Sequence, residues 1–198
     1  KRFIELMTER AVKMGCTHTH FNNPNGLPDE NHYTTAGDMA KILRVCWRNP
    51  RFRHYVTTLN YDIPPTNKQP ETRYMSNHHK MMEGKEYAYD GVLGGKTGYT
   101  MAAGNTLVTY AQRDRLKVGV VVLNCPGNSV AYADTASLLD YAFGNFRRLY
   151  MGTIMNRLHE NYGVSDQYRV LAGAKPLSFP GYTNGTPFIT VPEGITGD

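Results

Sequence analysis

The stretch Asp90-Gly91-Val92-Leu93-Gly94-Gly95-Lys96-Thr97-Gly98-Tyr99-Thr100 sets a lysine beside a threonine in a run of glycines. An ammonium and a hydroxyl side by side can hold a phosphate or a carboxylate. Phosphate fails on spacing. A P-loop needs four residues between its first glycine and the Gly-Lys pair, so that its N–H groups ring the phosphates. The residue five before Gly95 is Asp90, and Gly91 leaves only three residues between. An acid there would repel phosphate, and a turn and strands follow Thr100 in place of the helix whose N-terminus would face a nucleotide. What survives is a strand on which Lys96 and Thr97 meet a carboxylate. Gly95 and Gly98 would let a peptide approach its edge and add as a further strand.

Other residues invite chemistry less strongly. Cys16-Thr17-His18-Thr19-His20 alternates potential metal ligands on one side of an extended chain, but no fourth ligand is near, so His20 reads as a structural hydrogen-bonding residue. His78-His79 reads as an exposed loop pair. The fourteen tyrosines read as half-buried residues at the core edge, with Tyr99 the exception that could face a substrate. Cys16, Cys46 and Cys125 are too scattered for a disulfide framework or a zinc site, and no metal or cofactor is expected.

The elements that must position Lys96 and Thr97 follow from period and punctuation. Lys1 to Met14 has helical spacing and stops at Gly15. Thr35 and Asp38 form a capping box for a second helix that runs to about Trp47. Asn49-Pro50 breaks it, and HYVTTLNYDI alternates as a strand before the excursion IPPTNKQPE. From Val92 the pattern is an antiparallel meander: Leu93 to Tyr99, then NTLVTYAQ, a tight turn at Arg113-Asp114-Arg115, and KVGVVVLN. Ser129 to Tyr150 returns to helical period, with Ala133, Ala136, Leu138, Leu139, Tyr141, Ala142, Phe146 and Tyr150 on one broad face. After Gly152 a shorter helical stretch leads to a hairpin signalled by Asn184-Gly185. The class is α+β, an antiparallel sheet packed against helices.

The chain has 198 residues, 40% hydrophobic and 20% charged, with a net charge of +5 and no run of five like charges. That is globular material without a nucleic-acid signature. The longest apolar-type run, Val118 to Leu123, is only a strand's length, and the N-terminus carries no signal-peptide pattern. No capping residue precedes the first helix and no closing element follows GITGD, so a fragment is expected.

The runs THFNNPNGL, NHYTTAGDMA, Asn77-His78-His79-Lys80-Met81, GGKTGYT followed by AAGNTLV, and SLLDYAF occur in the order seen in D-alanyl-D-alanine carboxypeptidases. Over residues 1 to 150 the chain resembles the penicillin-sensitive, low-molecular-mass serine carboxypeptidases, whose K-T-G box sits on a strand beside the nucleophilic serine. The resemblance implies the C-terminal part of such a catalytic domain over 1–150. Over 151–198 it implies a linker and the start of a β-rich domain. It also implies a place in the bacterial cell envelope, a stem peptide of peptidoglycan ending in D-Ala-D-Ala as substrate, and β-lactams as inhibitors.

Of the three motifs of that family, S-x-x-K, S-x-N and K-T-G, only the last is present. No lysine has a serine three residues before it. Ser165-Asp166-Gln167 and Tyr182-Thr183-Asn184 come after K-T-G, in the wrong order for S-x-N. By the resemblance, Lys96 and Thr97 bind the terminal carboxylate, Gly98 completes the substrate-binding residues, and the backbone N–H of Tyr99 donates to the oxyanion. The nucleophile comes from an upstream segment, so this chain alone is expected to be inactive. The arginine that some relatives place after the third strand has no counterpart in Asn124-Cys125-Pro126-Gly127-Asn128. The competing readings are a fragment of a serine β-lactamase or esterase, and a peptidoglycan-binding module without catalysis.

Overall fold

The computed structural model describes residues 2–150 and 188–192. The chain divides into two compact units, Lys1–Arg113 with Lys117–Asp140, and Asp114–Leu116 with Tyr141–Asp198.

The first unit opens with helix α1, Arg2–Lys13. Gly15, at φ 83°, ends it: its N–H donates to Val12 O and that of Cys16 to Ala11 O, the paired bonds of a Schellman stop. Helix α2, Ala36–Cys46, starts where the Thr35 side chain accepts from the Asp38 N–H, as the capping box predicts.

The next element departs from expectation. His54 to Thr57 belongs to helix α3, Pro50–Thr57, and the strand β1 is confined to Asn60–Ile63. Asn49 Oδ1 accepts from Arg51 N at 2.9 Å and Phe52 N at 3.4 Å, and Pro50 is preset for the first helical position. The residues that end α2 thus start a new helix, and the alternation from His54 onward carries no weight against that cap. Strand β1 pairs antiparallel with β2, Arg73–Ser76.

The main sheet is the expected meander, ordered β3-β4-β5: Val92–Thr100, Gly104–Arg113 and Leu116–Cys125. The central strand β4 is covered on both faces. Val108 and Tyr110 point to one side, where Trp47 stacks on Tyr110 at 3.5 Å between centroids and Leu43, Phe52 and Val56 complete the cluster. Leu107, Thr109 and Ala111 point to the other, all buried.

Helix α4 spans Asn128–Asn145, shorter than the continuous period to Tyr150 implies. Its buried residues are Ala131, Tyr132, Thr135 and Leu139, whereas Leu138 and Tyr141 are exposed. The inward face is therefore rotated from the one expected, because Thr135 goes inside by donating its hydroxyl to Ala131 O. Phe146–Tyr150 forms strand β6, in the second unit, paired antiparallel with β7, Phe188–Pro192. A partner some forty residues away satisfies the β6 backbone, and local period cannot reveal it. The Asn184-Gly185 hairpin turn and the helical stretch after Gly152 lie outside the described residues. No helix among the described residues is long and apolar enough to cross a membrane.

Candidate active site

Lys96, Thr97, Gly98 and Tyr99 lie on β3, the edge of the three-stranded sheet, opposite Val108, Leu107, Thr106 and Asn105 of β4. A register shift between Val92 and Gly94 bulges the strand just before them. The far edge of β3 faces no partner strand among the described residues, the geometry needed for an added peptide strand.

The glycines have a reason inside the protein itself. A Cβ on Gly95 would stand 1.9 Å from Val108 O and 3.0 Å from His79 Cδ2, and one on Gly98 would stand 2.5 Å from Thr106 Oγ1. Close packing onto β4 and His79, beyond any approach of substrate, requires glycine at both positions. Thr106 Oγ1 donates to Gly98 O at 3.1 Å, which fixes the strand at the end of the motif.

Lys96 is exposed and its Nζ donates to Thr97 O, Thr97 is half-buried, and the Tyr99 side chain is 66% exposed. All four line a cavity of about 810 Å³. Its remaining wall comes from β2 and the loop after it, including Ser76, His78, Lys80, Lys85 and Glu86, and from Asn128 and Tyr132 of α4. Sequence reasoning missed Lys80 and Lys85. The loop holding them has no periodic signal, and its approach to β3 is a tertiary event.

The ion pair Lys80–Glu86, 2.5 Å, crosses this wall. The hydrogen bond between them raises the Lys80 pKa and lowers that of Glu86. Lys85 Nζ donates to Ser76 Oγ.

His79 corrects the expectation of an exposed pair. His78 is exposed, but His79 is 1% exposed, directly beneath Gly95. Its Nε2 is 2.9 Å from Thr109 Oγ1, its ring meets Tyr132 edge-on, and its Nδ1 is buried without a hydrogen-bond partner. Burial holds its pKa down at about 4, so the imidazole under the lysine-bearing strand is neutral near pH 7. Asn77 anchors the segment: its Nδ2 donates to Val56 O and Thr58 O, and its Oδ1 accepts from His79 N.

The cysteine-histidine stretch distributes its groups to separate partners. Cys16 Sγ donates to Asp38 O, His18 Nδ1 contacts Thr17 Oγ1, and His20 Nδ1 contacts Asn31 O. Nearby, the buried Asp38 carboxylate accepts from His18 N and Thr19 Oγ1 and pairs with Lys41 Nζ at 2.9 Å. Lys41 leads the groups that lower its pKa to about 2. The tyrosines are also wetter than expected: Tyr33, Tyr55, Tyr61, Tyr74 and Tyr141, like Tyr99, are more than half exposed.

A profile of D-alanyl-D-alanine carboxypeptidases, peptidase family S11, matches residues 1–127. The D-alanyl-D-alanine carboxypeptidase DacB2 of Mycobacterium tuberculosis is 31% identical over 71% of this chain and 47% of its own length. DacF of Bacillus subtilis is 27% identical over 74% of this chain and 36% of its own. DacA of Haemophilus influenzae is 28% identical over 97% of this chain and 45% of its own, a match that continues past the K-T-G region. The Streptomyces K15 DD-transpeptidase superposes with a TM-score of 0.65 at 28% identity, covering 72% of this chain and 54% of that one. The chain thus spans about half or less of the length of these relatives. With the family profile covering well over half of the chain, and solved DD-peptidase structures sharing its helices and antiparallel sheet, the chain belongs to the D-alanyl-D-alanine carboxypeptidase family S11.

Proposed function

We propose that this chain is the substrate-strand half of a serine D-alanyl-D-alanine carboxypeptidase that trims the stem peptides of peptidoglycan in the bacterial cell envelope. The observation that carries the reading is β3: an edge strand bearing Lys96-Thr97-Gly98, open on one side and lining a cavity, in a chain of this family. Residues 1–150 then supply part of the catalytic domain, and 151–198 lead into a β-rich second domain.

In this reading the peptide adds antiparallel to the free edge of β3. The terminal carboxylate meets the Lys96 ammonium and the Thr97 hydroxyl, and the backbone at Gly98 lies against the terminal residue. A serine from the upstream segment attacks the carbonyl of the penultimate D-alanine. The oxygen that gains charge accepts from the Tyr99 N–H, a donor set in place by the sheet before reaction begins. The C–N bond breaks, the terminal D-alanine leaves with a proton on its nitrogen, and water then cleaves the serine ester. A β-lactam enters the same site as an acylating mimic.

Fluorescent penicillin tests this. The longer protein that carries the upstream segment becomes covalently labelled and releases D-alanine from D-Ala-D-Ala peptides, Lys96→Ala cuts both about a hundredfold or more, and the 198-residue chain alone stays unlabelled. Absence of labelling and turnover in the longer protein would leave only a peptidoglycan-binding role. Efficient hydrolysis of β-lactams without peptide turnover would point to a β-lactamase.

A further inference from the structure

The cavity beside β3 is lined by three lysines and a single acid. That acid, Glu86, is taken by Lys80. Lys85 and Lys96 have no acidic partner among the described residues. Lys85 is also half-buried, and its Nζ is tethered to Ser76 Oγ, a hydroxyl on the same wall. An ammonium held this way keeps two N–H donors for a ligand. A half-buried cation without an acidic partner, lining the same cavity as the exposed Lys96 ammonium, favours an anion in that cavity.

We infer that Lys85 is a second binding residue for the terminal carboxylate of the peptide, acting with Lys96. This rests on the carboxypeptidase reading above. Two ammonium groups, one to each carboxylate oxygen, do here what one bidentate guanidinium does elsewhere. The sheet end at Asn124–Asn128, which carries no arginine, has no such group to offer. Ser76 serves as a positioning residue that aims Lys85. Lys80 is excluded from the role because its charge is already met by Glu86.

The test uses the longer, catalytically complete protein and two peptides that differ only in the last group, a free D-Ala carboxylate or its amide. The readout is the preference for acid over amide in kcat/KM. In Lys85→Met that preference falls about tenfold, mostly through KM for the acid, the loss of one charge-assisted hydrogen bond. Lys85→Arg keeps most of it, and Ser76→Ala lowers it by about threefold. Lys80→Met combined with Glu86→Gln, which removes that ion pair as a unit and leaves the net charge of the cavity unchanged, keeps the preference within about twofold of wild type. An unchanged preference in Lys85→Met, or an equal fall in Lys80→Met with Glu86→Gln, overturns the assignment. If Lys85→Met does not fold, Ser76→Ala decides: an unchanged preference there overturns it. Turnover of neither peptide by the wild-type protein overturns the carboxypeptidase reading and this inference together, whereas turnover with an unaltered preference removes Lys85 alone.

Discussion

The two faces of strand β4 both pack against other elements, yet they differ in one respect: between Leu107 and Ala111 the second face buries a polar pair. On one, Tyr110 and Val108 meet Trp47, Leu43, Phe52 and Val56, a cluster dominated by stacked aromatic and aliphatic groups. On the other, Thr109 is fully buried against an imidazole that is itself 1% exposed and has one nitrogen unpartnered. An apolar face tolerates any filling of the right volume, but a buried polar face holds only while each group keeps its partner. The polar face is the one beneath Gly95, one residue before Lys96. The side next to the substrate strand therefore depends on a hydrogen bond as well as on packing.

Trp47→Ala is the largest blow to the apolar face. The ring is 9% exposed and stacked on Tyr110, and removing it costs about 3–5 kcal/mol in denaturant unfolding. This loss is independent of pH between 4 and 8, since the cluster holds no titrating carboxylate or imidazole. A strong pH dependence of the Trp47→Ala loss would mean that the two faces are not energetically separate.

The polar face answers to acid. His79 has a pKa of about 4 when folded, against the usual 6.5, so the unfolded chain binds the proton first. Its contribution is complete above pH 6.5 and is lost as pH falls from 6.5 to about 4, a total of about 3 kcal/mol. Asp38 follows in a separate, lower window: its folded pKa of about 2 lies below the usual 3.8, so its contribution is lost as pH falls from 3.8 towards 2. Unfolding midpoints measured at half-unit steps of pH resolve the two windows. His79→Asn removes the slope between 6.5 and 4, and Asp38→Asn removes the slope below 3.8. A slope that persists between 6.5 and 4 in His79→Asn would assign that window to another group.

Legibility in the sequence divides along the same line. The apolar sheet, the Thr35 cap, the Gly15 stop and the position of Lys96 and Thr97 on a strand were readable, because each is carried by period or by a residue with a local backbone role. Three features were not. Asn49-Pro50 acts as both stop and start, a double meaning that only the observed hydrogen bonds of Asn49 Oδ1 resolve. Phe146–Tyr150 needed a distant strand. The burial of His79 depends on the space left over by Gly95 and Thr109, which belong to other elements. Half of the candidate site was therefore visible: the strand residues, which announce themselves by spacing, and not Lys80, Lys85 or His79, which arrive from a loop.

Thr109→Val offers the smallest and most discriminating change. Valine keeps the shape and the β-branch but removes the hydroxyl 2.9 Å from His79 Nε2, leaving that nitrogen as orphaned as Nδ1 already is. The expected cost at pH 7.5 is about 2 kcal/mol, the desolvation of a buried group without a partner. Combined with His79→Leu the loss becomes less than the sum of the two single changes, since replacing both members by apolar groups abolishes the penalty along with the bond. A strictly additive double change would show that the contact contributes nothing beyond packing.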